Sequence, residues 1–355
     1  MSLTTRGRAA LGVVVAVLLI GGGIGAVVLL GGKAGDTQGT GSTPTTPAST
    51  TPVPPPICPL SGVKLDTAVP ARPALAVKVE NLPSARPQTG LSLADIVYEE
   101  PVEAGITRFI AVYQCQDASR IEPVRSARFT DIDVLKQFGK PLFAYAGGVA
   151  QVIRAVRSAG IIDINFTTAR ASGAYHRDPN RAAPHNLYTS TDELYAAAKG
   201  LFQPEVPTPL FTFTAKIRGI GKTATVAHVP FSSSSDVFWR WSGSKKIWLR
   251  YHGDVPHLLS NGTQVSARDV VVQIVKTELT DVTDTNGVRS PRAITVGGGK
   301  AYVFRNGKVV VGTWVRKSAG DVTKFLDGQG NEIPLAPGNT WIELLPQGKR
   351  VTYSS

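Results

Sequence analysis

An uncharged, largely apolar run from Ala9 to Gly32 decides which part of this chain can fold in water. It is long enough to cross a bilayer as one helix. Arg6 and Arg8 precede it and Lys33 follows it. The positive-inside tendency then puts residues 1–8 in the cytoplasm and everything after the run outside it. A cleaved signal peptide is the rival reading, but its apolar region is normally shorter, and no A-x-A-like site follows here. Lipid attachment has no context either, because the first cysteine, Cys58, lies far downstream between Ile57 and Pro59. The expectation is a single transmembrane anchor over residues 9–32.

Residues 33–57 are dominated by Thr, Pro, Ser and Gly. Such a stretch cannot bury enough apolar surface to offset its ordering entropy, and its prolines stiffen it into an extended spacer. What remains, residues 58–355, is long enough for one large or two ordinary domains. It holds two cysteines, Cys58 and Cys115. Outside the cytoplasm an even pair reads as a disulfide, with two buried free thiols as the alternative. The formal net charge of +12 would point a cytosolic chain toward nucleic acid. External placement points instead, with no nucleic acid involved, to membrane headgroups or to acidic and phosphate-bearing polymers of a cell envelope. Solubility alone is the competing account.

The texture of the folded part changes along its length. Residues 58–203 alternate strands and helices, which predicts an α/β or α+β domain with a mixed sheet. Strands are expected over residues 74–80, 95–99, 106–114 and 142–146. Val149, Val152, Ile153 and Val156 recur at helical spacing and predict a helix over residues 149–159. Ser190 and Glu193 form a capping box ahead of a second helix that Gly200 stops. The prolines at 204, 207 and 209 mark a boundary. From there residues 210–355 are rich in Val, Ile, Thr and Trp, which predicts a β-rich domain. Asn306-Gly307 between alternating strands signals a two-residue hairpin. A second hairpin is expected around Ser242-Gly243-Ser244.

Several runs carry a resemblance. They are Ala85-Arg86-Pro87-Gln88-Thr89-Gly90-Leu91 leading to Asp95-Ile96-Val97-Tyr98-Glu99, Pro123-Val124-Arg125-Ser126-Ala127-Arg128, and Pro184-His185-Asn186-Leu187-Tyr188-Thr189. With Gly312-Thr313-Trp314 and Pro337-Gly338-Asn339-Thr340-Trp341-Ile342, the chain resembles the YerB-like family of bacterial extracytoplasmic proteins. The resemblance implies bacterial origin, an envelope location and a two-section fold. It implies no chemistry, because the family is a domain of unknown function. Many members are lipoproteins, from which this chain departs by its apolar anchor.

Chemistry must therefore come from the residues. Arg125 and Arg128 stand three apart, and Arg177, Arg181, His185 and Asn186 follow on a second turn-rich segment. Guanidinium forks suit bidentate recognition of phosphate or carboxylate, and these six residues are the candidate anion site. Local salt bridges, Arg128 with Asp131 and Arg177 with Asp178, are the competing account. Gly147-Gly148 before a helix can add backbone N–H groups, but no Lys-Ser/Thr follows to make a P-loop. Glu99, Glu103 and Asp131 are the candidate acids or divalent-cation ligands, although pairing of Glu99, Glu100 and Glu103 with Arg108 is the simpler role. His176 and His185 match no zinc spacing, and neither a G-x-S-x-G elbow nor an H-E-x-x-H helix is present.

Two functional classes follow. One is an envelope protein binding an anionic, phosphate-bearing ligand or a protein partner. The other is a metal-dependent phosphotransferase or hydrolase acting on wall polymer or lipid-linked precursors. Catalysis of the second kind needs Glu99 or Asp131 to face the arginines; both in salt bridges would favour binding.

Overall fold

A computed structural model describes residues 54–355, apart from 170–172, 217–220 and 285. The apolar run at residues 9–32 and most of the spacer lie outside the described residues. Among the described residues, no helix is long and apolar enough to cross a membrane.

Three antiparallel strands, Leu75–Glu80, Ile96–Pro101 and Thr107–Tyr113, form the first section's frame. Nearly every residue in them is buried. Their near-continuous apolar runs, rather than clean alternation, reflect packing on both faces. Leu75, Val77, Val79, Val97, Phe109 and Tyr113 enter one core; Ala76, Ile96, Tyr98, Ile110 and Val112 enter the other. Leu142–Ala144 and Ile162–Asp163 extend the sheet in parallel at one edge. Helices Phe129–Leu135 and Ala150–Ser158 cover the second core, the latter burying Val152 and Val156 as its spacing requires. Ser190 caps helix Thr191–Ala197 by accepting from the Glu193 N–H, 3.2 Å away.

The second section is β-rich, and its strands join the same sheet. The strand Thr340–Pro346, almost last in the chain, lies parallel to and between Ile96–Pro101 and Asp269–Thr283. Beyond it follow Gly297–Arg305, Lys308–Arg316 and Lys324–Leu326, within twelve strands in all. The sections meeting at the proline cluster thus share one hydrogen-bonded sheet, and the described residues form one compact unit. A long-range insertion of this kind leaves no local mark in sequence.

The hairpin at Asn306-Gly307 pairs Arg305 with Lys308, and both turn residues have positive φ, 50° and 70°. That is the turn these two residue types favour. The second hairpin joins Ser235–Ser242 to Ile247–His252, within a six-stranded sheet built from the second section. Its Trp239 and Trp248 pack into the first core against the large sheet. Cys58 and Cys115 form a disulfide with Cα atoms 6.0 Å apart, closing a separation of 57 residues. Loop closure of that length is worth about 4 kcal/mol in the chain-entropy account.

Candidate functional site

The four candidate arginines do not share a cleft. Arg125 and Arg128 line a cavity of about 730 Å³ together with Glu80, Glu103, Arg108, Gly148 and Ser290. Arg181 and His185 line another, about 620 Å³, with Ser84, Arg86, Arg120, Glu122 and Asp178. Arg177 lines neither: it donates to Asn186 Oδ1 at 2.7 Å, with its guanidinium 5.6 Å from the Phe166 ring centre. Asn186 is consumed by that bond and by donating to the Asp178 carbonyl. Both belong to the scaffold of the turn. The reason for the split is Glu80, an acid at a strand end whose role the sequence did not reveal. Its Oε1 accepts from Arg125 at 2.8 Å and its Oε2 lies 2.7 Å from His185 Nδ1. One buried carboxylate is therefore the wall between the two cavities.

Register sets the charges of the larger cavity. Arg108 sits across from Glu80 on one neighbouring strand and from Glu100 on the other. Neither acid pairs with it. Glu80 is shared by Arg125 and His185, and Glu100 contacts the buried Lys78. The other carboxylates lining the cavity are also engaged. Glu103 accepts two bonds from Arg128, at 2.6 and 2.7 Å, and Asp284 accepts backbone N–H groups of its own turn. Among the described residues Arg108 has no ion-pair partner. It is 6% exposed, donates Nη1 to the Ser126 carbonyl at 3.0 Å, and leaves Nε without a hydrogen bond. Burial, then the charges of Arg128 and Arg125, push its pKa down to about 10. Burial pushes the Glu103 carboxyl up, but Arg128 and Ser290 outweigh it and hold it at about 2. Helix Ala150–Ser158 starts at the cavity rim through Gly148 and Val149, adding its N-terminal dipole.

The expected acids are dispersed. Fully buried Glu99 pairs with Arg250 Nη2 at 2.6 Å and accepts from Thr107 Oγ1 at 2.6 Å. Asp131 accepts from Lys78 Nζ and from the Arg128 N–H, both at 2.6 Å. Neither lines a cavity described above, so of the three expected acids Glu103 alone stands at the arginines, where it is taken by Arg128. The expected pairing of the glutamates with Arg108 is corrected: Glu99 meets Arg250, Glu100 meets Lys78 and Glu103 meets Arg128, while Asp131, expected beside the Arg128 side chain, meets Lys78. Burial, then Asp131, push the Glu100 carboxyl up to about 7 against the opposing charge of Lys78. His176 meets Glu193 at 2.6 Å, apart from His185.

Between the two sheets lies a polar network that sequence reading missed. Arg250 donates Nη1 to His252 Nε2 at 2.8 Å and to His257 Nδ1 at 2.7 Å. Both imidazoles accept, so both are neutral; burial, then the Arg250 charge, hold them well below their ordinary range. His257 donates onward to Gln88 Oε1 at 2.8 Å, and Gln88 donates to the Glu80 carbonyl at 2.9 Å. On the other side, Trp239 donates to Glu343 Oε1 at 2.7 Å. Burial, then the neighbouring Glu99, push the Glu343 carboxyl far up. The visible signal was a charged residue inside the apolar strand Trp248-Leu249-Arg250-Tyr251.

Residues 60–203 match the N-terminal domain, and residues 227–342 the C-terminal domain, of a family described as protein of unknown function DUF3048. The chain belongs to the DUF3048 family. It is similar to the protein named "Putative lipoprotein YerB" of Bacillus subtilis (strain 168), with 28% identity over 294 residues, 81% of this chain and 86% of that one. The crystal structure of YerB protein from Bacillus subtilis is also similar, with a TM-score of 0.73 at 27% identity, covering 84% of this chain and 99% of that one. The family resemblance read from the motifs is therefore sound. In this DUF3048 member those motifs ring the cavities and the network: Arg86 and Gln88 from the first, Arg125 and Arg128 from the second, His185 from the third.

Proposed function

We propose that the protein is a membrane-tethered, extracytoplasmic component of a bacterial envelope that binds a phosphate-bearing anion between Arg108, Arg125 and Arg128. The observation that carries this reading is Arg108, a buried guanidinium without a carboxylate and with an unbonded Nε beside two further guanidiniums. Like charges held together raise the energy of the empty cavity, and an anion relieves that repulsion. The start of helix Ala150–Ser158 at the rim favours the same sign of ligand. The apolar run at residues 9–32 and the lipoprotein name of the Bacillus relative support the location. Binding is favoured over metal-dependent phosphoryl transfer because Glu99 and Asp131 are committed to Arg250 and Lys78.

Thermal unfolding of the full chain in detergent with pyrophosphate tests this. The melting temperature should rise, by linkage worth about 2.7 kcal/mol at a hundredfold excess over Kd. The rise should shrink with added salt and disappear in Arg125→Gln. An equal rise in Arg125→Gln and in the parent would refute the site.

A further inference from the structure

The smaller cavity contains an arrangement that the anion reading does not use. Ser84 Oγ lies 3.4 Å from His185 Nε2, and His185 Nδ1 lies 2.7 Å from Glu80 Oε2. Glu80 Oε1 accepts from Arg125, and its Oε2 faces His185 Nδ1, which we take as the N–H donor to it. That fixes the tautomer and leaves the Nε2 lone pair toward the serine. Serine, imidazole and carboxylate then stand in the order a nucleophile, its base and the base's orienting group require. The 3.4 Å separation is at the long end, as such bonds are before substrate tightens them. Ser84 is exposed on a single 3-10 turn, Pro83–Ala85, and lines the cavity. The three residues come from distant places in sequence, which is why no G-x-S-x-G spacing announces them.

We propose that Ser84, His185 and Glu80 form an acyl-transfer relay acting on carboxylic esters that carry a nearby anionic group. Ser84 Oγ bonds to the ester carbonyl carbon while its proton passes to His185 Nε2. Glu80 stabilises the imidazolium that forms. The carbon–oxygen bond to the leaving alcohol breaks, and that alcohol takes the proton from His185. Water then repeats the sequence in reverse roles and frees the acid, restoring Ser84. The anionic group is held by Arg86, since Arg120 pairs with Glu122 and Asp178 and Arg181 with Glu122. Arg181 bonds the carbonyls of Ala85, next to Ser84, and of Pro87. Arg86 bonds only Asn81 and has no ion-pair partner among the described residues. Burial, then the charge of Arg250, push its pKa down to about 10. Arg120 stacks on Tyr188, 3.8 Å from the ring centre.

A fluorophosphonate probe tests the relay without a known substrate. Its phosphorus should bond to Ser84 Oγ with loss of fluoride, seen as one mass increment on the intact full chain and mapped to the Ser84 peptide. Ser84→Ala should abolish it, and its surface position leaves the fold intact; Ser244→Ala should label like the parent. His185→Ala should slow labelling by roughly 10²–10⁴-fold. A label absent from the parent, kept in Ser84→Ala, or formed as fast in His185→Ala would overturn the relay. The ester class is tested with p-nitrophenyl succinate against p-nitrophenyl acetate. The charged ester should turn over faster, with the advantage lost in Arg86→Gln; equal or faster use of the acetate would overturn that class. Labelling is read apart from the pyrophosphate response of the neighbouring cavity, so either reading can fail without the other.

Discussion

Arg108 illustrates how a strand can hold a charge that no neighbour neutralises. Its position across from Glu80 and Glu100 suggests two ion pairs, yet Arg125, His185 and Lys78 take both acids. The cost falls on the empty protein. At neutral pH Arg108 is protonated both folded and unfolded, and its depressed folded pKa means the charge is less favourable in the fold. Arg108→Met keeps the apolar stem and removes that charge, at the loss of one bond to the Ser126 carbonyl. The variant should unfold in urea at an equal or higher midpoint than the parent, while its thermal response to pyrophosphate vanishes. An unfolding free energy lowered by several kcal/mol would show instead that Arg108 is a structural cation.

Strands and turns were readable wherever local chemistry decides them. Period-two patterning and Asn306-Gly307 located the hairpin, and Ser190 located a helix start. The network between the sheets was not readable, because its members come from strands far apart in sequence. Arg250 is the clearest case. In sequence it looks like one more cation of the β-rich section, remote from any site; in the fold it is fully buried between Glu99, His252 and His257. Removing it strands a buried carboxylate and leaves two imidazole acceptors without their donor. Arg250→Ala should therefore cost about 3–5 kcal/mol in equilibrium urea unfolding, the range for breaking a buried pair. A cost below about 1 kcal/mol would mean that water replaces the guanidinium. The candidate site was half legible for a related reason. Guanidinium density pointed to Arg125, Arg128, Arg181 and His185. It could not show that Glu80 divides them, nor that Ser84 lies beside His185.

At the scale of the whole molecule, the apolar run and the stiff spacer predict that residues 54–355 stand outside the cell membrane. Protease added to intact spheroplasts should remove that part and leave a short membrane-embedded fragment; full protection would reverse the topology. The disulfide between Cys58 and Cys115 fits an oxidising compartment.

The strand Thr340–Pro346 occupies the middle of the great sheet although it lies far along the chain from Ile96–Pro101, with which it pairs. Until it is made, Ile96–Pro101 and Asp269–Thr283 each lack a partner along one edge. A chain still emerging from a ribosome or an export channel thus cannot close its sheet, however long it waits. Closure of the sheet therefore waits until residues 340–346 are available. A chain cut short before that strand would expose two open edges, each a template for pairing with another chain.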